Sequence, residues 1–269
     1  MGQLVHSLEG DVVYGVTLLA GELYLLRWKR RNQVEVYEVI SYRLQRRLTV
    51  PDARVLADMT SCIHYRCVYI GDNIGEYVHR LDEQGAFTRW AVDDKPWGLS
   101  VNTAHNVIVA FYHVCKIKEF SSHGHLLREL TLRNDVINMR HAIQTRSGQF
   151  IVCHGELNDP VHRVCMVSAD GRHIVHSHGG QPGSDPGQYN GPRHLAVDDN
   201  EFVFVADINN RRVTVLSPTL EYVRQVVSRD QLNWWPMRLC LDIQSRQLYI
   251  SDTALGSDES SGRVVVVKV

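Results

Sequence analysis

The stretch PRHLAVDDNEFVFVADINNRRVTVL, from Pro192 to Leu216, decides the fold. An apolar run from His194 to Val197 is followed by a turn at Asp198 to Glu201, a second run from Phe202 to Ala206, a polar loop from Asp207 to Arg211, and a third run from Arg212 to Leu216. A fourth run follows at Tyr222 to Val227. Short β-branched and aromatic runs separated by turn residues predict a four-stranded antiparallel meander.

Outward from this unit the pattern repeats. First strands are entered at Gly15, Asp58, Gly98, His141, His194 and Arg238, about 40 to 53 residues apart, the length of one propeller blade. Second strands follow, from Leu23 to Leu26 in the first unit to Leu248 to Ser251 in the last, and third strands run from Val34 to Tyr37 in the first unit to Arg263 to Val267 in the last. The expectation is an all-β, six-bladed propeller with residues 1 to 269 as one domain. No segment sustains helical periodicity, which excludes an α/β fold. The sixth unit runs out at Val269 after three strands, and Gln3 to Leu8 precedes the first inner strand without a unit of its own. That segment is predicted to pair as the outer strand of blade six, closing the ring and covering its open edge. A domain starting so near Met1 also suits a propeller preceded by other domains in a longer polypeptide.

Lys and Arg total 29 against 30 Asp and Glu, a net charge of −1, so there is no global attraction to nucleic acid or anionic membrane and any such binding must come from a local patch. No apolar run reaches the roughly 18 residues of a membrane span, and the start MGQLVHSLEGD lacks the basic and apolar regions of a signal peptide. Six cysteines are too few for a disulfide scaffold and read as reduced thiols of a cytoplasmic protein. Cys62 and Cys67 bracket the first turn of blade two as cross-strand neighbours, where a disulfide would imply an oxidising compartment. Cys153, His154, His162 and Cys165 flank one hairpin without the paired close cysteines of a zinc knuckle.

Pro192, Arg193, His194, Leu195, Ala196, Val197 and Asp198, with Val205, Ala206, Asp207, Asn210, Arg211 and Val213, resemble the NHL repeat, Arg193 standing where the signature has Asn. Trp97 to Val101 in blade three, and Met237 to Asp242 with Leu248 to Asp252 in blade six, are weaker copies. The resemblance implies a propeller that binds RNA or protein, often behind the RING, B-box and coiled coil of tripartite-motif proteins; a minority of such propellers are enzymes. It also implies an ion pair between Asp207 and Arg211 within the blade. Neither a nucleophile elbow nor a phosphate-cradling loop occurs in the chain.

In such a meander the inter-blade loops and the loops between second and third strands share one face. On it the sequence places Arg27, Trp28, Arg30, Arg31, Tyr112 and Arg211 from the second-to-third loops, and Trp97, Arg140, His141, Arg193, His194 and Arg238 from the blade entries. Cations interleaved with rings suit single-stranded RNA and also protein hot spots. Arg140, Arg193 and Arg238 are expected at a solvated channel mouth that favours an anion. The leading expectation is therefore a non-enzymatic recognition module for single-stranded RNA or a protein, with no cofactor, DNA or membrane partner. The alternative is a metal-dependent lyase or hydrolase holding zinc or calcium on Asp58, His141 and His194, since NHL-like amidating lyases hold channel zinc on histidines. Blade two lies across the ring from blades four and five, so these three side chains are expected not to converge within coordination distance, about 2.0 to 2.2 Å of one ion.

Overall fold

The alternation in blade five sorts its side chains onto two faces, because successive strand residues point opposite ways. Leu195, Val203 and Val205 pack toward blade four with Ile151 and Val164. Ala196, Phe204 and Ala206 pack toward blade six with Leu239 and Ile250. Each sheet thus shares one core with each neighbour, and six such clusters stand between the six blades. Burial of aliphatic side chains at about 1.5 to 3 kcal/mol each makes these interfaces the main stabilising term.

The computed structural model describes residues 1–27, 29, 32–156, 158–254 and 261–269. It contains six four-stranded antiparallel sheets, five of them built from consecutive strands. The sixth joins Trp235–Asp242, Gln247–Thr253 and Gly262–Lys268 to the N-terminal strand Gln3–Gly10. Gln3 lies opposite Lys268 and Gly10 opposite Gly262, so the expected closure is present and the strand runs two residues further than expected. The described residues contain no α-helix, a 3-10 turn spans Arg229–Gln231, and no helix among them is long and apolar enough to cross a membrane. All six cysteines are free thiols, with Cys62 and Cys67 directly opposite one another in the ladder.

In three blades a carboxylate clasp fixes the connection that leads into the inner strand. Asp72, Asp207 and Asp252 end second strands, and their carboxylates accept N–H groups from the preceding inter-blade connection: Arg54 and Val55, Asn190, and Asn233 and Trp234 respectively. On the other side Asp207 is held by Arg212 and Asp252 by Arg263, each through Nε at 2.8 Å. The expected Asp207 to Arg211 pair is therefore corrected by one residue. Arg211 takes a positive φ of 49° in the turn, which swings its guanidinium out over Trp235 at 5.8 Å, while Arg212, in register opposite Asp207, makes the bond.

Candidate functional site: the channel and its arginine mouth

Gly15, Asp58, Gly98, His141, His194 and Arg238 occupy one register position, facing Leu26, Gly71, Ala110, Cys153, Ala206 and Ser251 of their second strands. In all but His141 a register shift comes immediately before, between residues such as Leu56 and Asp58 or Pro236 and Arg238. A bulge re-aims the next side chain, and here all six positions form one ring around the axis. Blades one and three contribute glycine to it, which opens the space between the others. A Cβ at Gly98 would lie 2.9 Å from His141 Cδ2, and one at Gly15 would lie 2.9 Å from Met59 Cγ.

Through that space Asp58 and Arg238 reach each other. Arg238 Nε donates to Asp58 Oδ1 at 2.9 Å, while its Nη2 and Nη1 donate to the carbonyls of Ala57 and Met237. Asp58 Oδ2 accepts from Leu99 N at 2.9 Å and lies 3.6 Å from His194 Nε2. His141 stacks on His194 with ring centroids 3.9 Å apart. All four residues are buried, none above 6 % exposed. Asp58, His141 and His194 thus come together across a narrow axis that the glycines leave open, their ligand atoms within 4.8 Å of one another, a limit that does not by itself bring all three to within about 2.0 to 2.2 Å of one ion. One expectation is corrected. Arg238 lies in a core ion pair rather than at a solvated mouth.

Burial opposes ionisation of Asp58, but the Arg238 charge and the facing imidazoles outweigh it and hold its carboxyl well below the usual range. Burial pushes His141 down to about 3, with His194 adding to the effect, and burial also lowers His194. Both rings are therefore neutral near pH 7, and their bonds fix the tautomers. His141 Nε2 lies 3.0 Å from the Leu99 carbonyl and must carry the proton, leaving Nδ1 bare. His194 Nδ1 accepts from Leu239 N at 3.3 Å, so its Nε2 is protonated and turned to Asp58. This donor set does not fit a zinc or calcium ion. The His194 nitrogen beside Asp58 bears hydrogen, and a guanidinium already occupies the carboxylate.

Above this plug lies the arginine mouth. Arg140 is buried, ion-paired to Glu156, and lies over the rings of Tyr112 at 4.1 Å and Trp97 at 4.9 Å. The Tyr112 hydroxyl donates to the same Glu156. Arg193, half-buried, sits 5.5 Å over the Trp97 ring and has no ion pair among the described residues. Its Nε and the Trp97 Nε1 are both buried without an acceptor. Burial, then the charges of Arg140 and Arg238, disfavour the Arg193 cation strongly. A guanidinium does not lose its proton in a protein, so the cost remains as an attraction for an anion. A cavity of about 110 Å³, lined by Arg140, Glu156, Arg193, Ile208 and Asn209 among others, opens beside it.

Of the other expected residues, Arg27 is buried and pairs with Glu35 at 2.8 Å inside blade one. Trp28, Arg30 and Arg31 lie outside the described residues. Arg211 stands apart on Trp235. Glu156, which ties Arg140 to Tyr112, is not marked by any pattern in the sequence.

No family model matches the chain, and no curated protein matches it. Solved structures do. A virginiamycin B lyase from Staphylococcus aureus superposes with a TM-score of 0.66 at 13% identity, over 96% of this chain and 87% of that one. A streptogramin B lyase does so with a TM-score of 0.68 at 13% identity, over 98% and 87%. The Kuenenia stuttgartiensis hydrazine synthase covers 97% of both chains at a TM-score of 0.66 and 12% identity. The likeness is one of fold. At such identities it carries the six-bladed propeller and no chemistry.

Proposed function

We propose that this propeller is a non-enzymatic recognition module that takes an anionic group of a protein partner at the arginine mouth, in the manner the NHL-like sequence pattern suggests. The observation that carries the reading is Arg193, a half-buried cation with no ion pair among the described residues, beside a second unspent donor on Trp97. An uncompensated charge away from water costs several kcal/mol unless a partner supplies its counter-charge. A carboxylate or phosphate at the mouth meets the half-buried Arg193 guanidinium, the one cation there, among the described residues, that Glu156 does not already neutralise. A protein is preferred over single-stranded RNA because Tyr112 is buried beneath Arg140 and Trp97 is already covered by guanidinium groups, so neither ring is a free platform for a base.

The test is an anisotropy titration with a labelled oligoglutamate peptide and with a random-sequence single-stranded RNA. Wild-type protein is expected to bind the peptide at low salt, and Arg193→Met to weaken it more than about tenfold, as removal of a desolvated charge partner does. Tighter RNA binding with a steep salt dependence would transfer the reading to RNA. Binding of neither would remove it. The second reading, a metal-dependent lyase, draws on the convergence of Asp58, His141 and His194. It requires His194 to give up its bond from Leu239 and Asp58 to release Arg238, so it stands against the donor set described above; stoichiometric zinc or calcium in purified protein would overturn that assignment of the donor set, and turnover of a substrate would be needed to establish a lyase.

A further inference from the structure

Below the plug the channel widens into a chamber of about 390 Å³ walled by the inner strands of all six blades, with the turn residues Arg146, Asp198, Asp199 and Glu201 on the rim of its lower end. Beside it, and sharing Asp199, Cys240, Leu241 and Ile243 with it, lies a larger hollow of about 630 Å³ at the lower ends of blades six, one and two. Here the core between blades six and one is left uncovered. Leu18, Val39 and Cys240 pack on that core, remain only partly buried, and line the hollow.

The turns around the hollow carry aliphatic side chains that no turn requires. Ile63 opens the first turn of blade two and is 79 % exposed, Ile243 opens that of blade six and is 42 % exposed, and Ile40, next to Val39 in blade one, is 91 % exposed. Turn positions favour Gly, Pro, Asn, Asp and Ser, each for a backbone reason that isoleucine does not share. The matching first turns of blades three, four and five carry Thr103 and His105, Arg146 and Ser147, and Asp199 and Asn200. The lower face is thus divided into an apolar half and a polar half. An exposed apolar patch gathered around one hollow marks an interface.

Shape and charge together select the occupant. Ile40 and Ile63 project beside the recess they border, so one surface carries both knob and hole. Its charges are also of both signs. Asp199 and Asp242 line the hollow, as does Arg66, which is paired with Glu83 at 2.6 Å. Arg43 and Arg246 close the turns of Ile40 and Ile243 and have no ion pair among the described residues. A partner of a single charge sign gains little from such a rim. We propose that a second copy of this chain packs here about a two-fold axis. The isoleucine tips of each copy enter the hollow of the other, and the free arginines of one copy meet Asp199 and Asp242 of the other. A two-fold axis requires one patch to be complementary to itself, and a surface with knob, hole and both charges meets that demand. The pair joins the lower faces and leaves the two arginine mouths pointing outward, so this inference does not depend on the function proposed for those mouths.

The experiment is sedimentation velocity of the full chain from about 1 to 200 µM, with 1-anilinonaphthalene-8-sulfonate fluorescence on the same samples. A reversible equilibrium between monomer and dimer is expected, with a Kd of about 1 to 50 µM. Ile63→Asp with Ile243→Asp changes two exposed tips, should leave the unfolding temperature unchanged, and is expected to weaken the dimer by about thirtyfold or more. Ile74→Asp, 45 % exposed on the upper face, should not alter it. Independently of any variant, amide exchange at residues 63–66 and 243–246 should slow as the concentration of the unaltered chain rises. A chain that stays monomeric to about 200 µM overturns the proposal, and dye binding to that monomer would make the hollow a small-molecule site instead. A dimer indifferent to the paired isoleucine variant overturns it too, as does assembly beyond the dimer that grows with concentration, since a two-fold contact is closed.

Discussion

The two ends of the channel are made by the same six strands and carry opposite charge. The upper end gathers Arg140 and Arg193 over Trp97 and Tyr112; the lower end gathers Asp198, Asp199 and Glu201 against Arg146. Part of the lower charge is a by-product of turn geometry. Asp198 accepts the N–H groups of Asn200 and Phe202, and Asn102 and Asp242 do the same in their own blades, which is the ordinary use of Asx residues. No turn or clasp requires Arg193 or Trp97 Nε1. Charge that the backbone demands says little about ligands, whereas charge that nothing in the fold demands says a good deal.

The comparison holds only while the plug separates the two ends, and the largest expected effect comes from breaking it. Asp58→Ala leaves Arg238 buried without its partner, and urea denaturation is expected to show a loss of about 3 to 5 kcal/mol. Asp58→Ala combined with Arg238→Met should recover much of that. If the single variant costs less than about 1 kcal/mol, the plug does not hold the ends apart.

Acid should act on the same feature. His141, held down to about 3 by burial and by His194, and His154, held down to about 4 by burial and by Arg163, are neutral in the folded chain. Unfolded, each takes a proton near pH 6.5. Between about pH 6.5 and these lower values the unfolded state binds more protons, so stability falls as pH falls, by up to about 1.4 kcal/mol per pH unit for each ring. Urea midpoints measured from pH 7 to pH 4.5 should show this slope, and His141→Gln should reduce it by about one proton. An unchanged slope in that variant would mean that His141 is not held neutral.

A smaller effect sharpens the contrast between the mouths. Arg193→Met keeps apolar cover on Trp97 and removes a charge the fold does not use, so thermal unfolding should show a gain of about 1 kcal/mol alongside the loss of peptide binding. A loss of stability instead would reveal an internal partner for Arg193. At the other end Asp199, exposed and only loosely paired with Arg146, should tolerate Asn within about 0.5 kcal/mol. A larger change would make the rim structural.

The blades, their order and the closing strand were legible because each rests on a local signal: alternation, turn residues and a period. The ring of six channel positions was legible too, as the six entry residues. Its collapse into a plug was not read, although the signal lay in the same list. Gly15 and Gly98 flank Asp58, and two absent side chains in a narrow ring are what allow contact across it. The error at Asp207 came from taking the adjacent Arg211 as partner, where ladder register selects Arg212. The lower chamber escaped notice because its wall is assembled from the inner strands of six separate blades, which no linear pattern encodes.

The closing strand has a mechanical consequence. Gln3 lies opposite Lys268 and Gly10 opposite Gly262, so both ends of the polypeptide leave the ring at the same end of one strand pair. A load applied between them would act on a single hydrogen bond at a time and peel the seam like a zip, whereas the other five sheets are loaded only after it opens. Single-molecule stretching from the two termini should therefore open the ring at low force in a first, separate event. Anchoring the same protein through two loops on opposite blades should require a much larger force before anything yields.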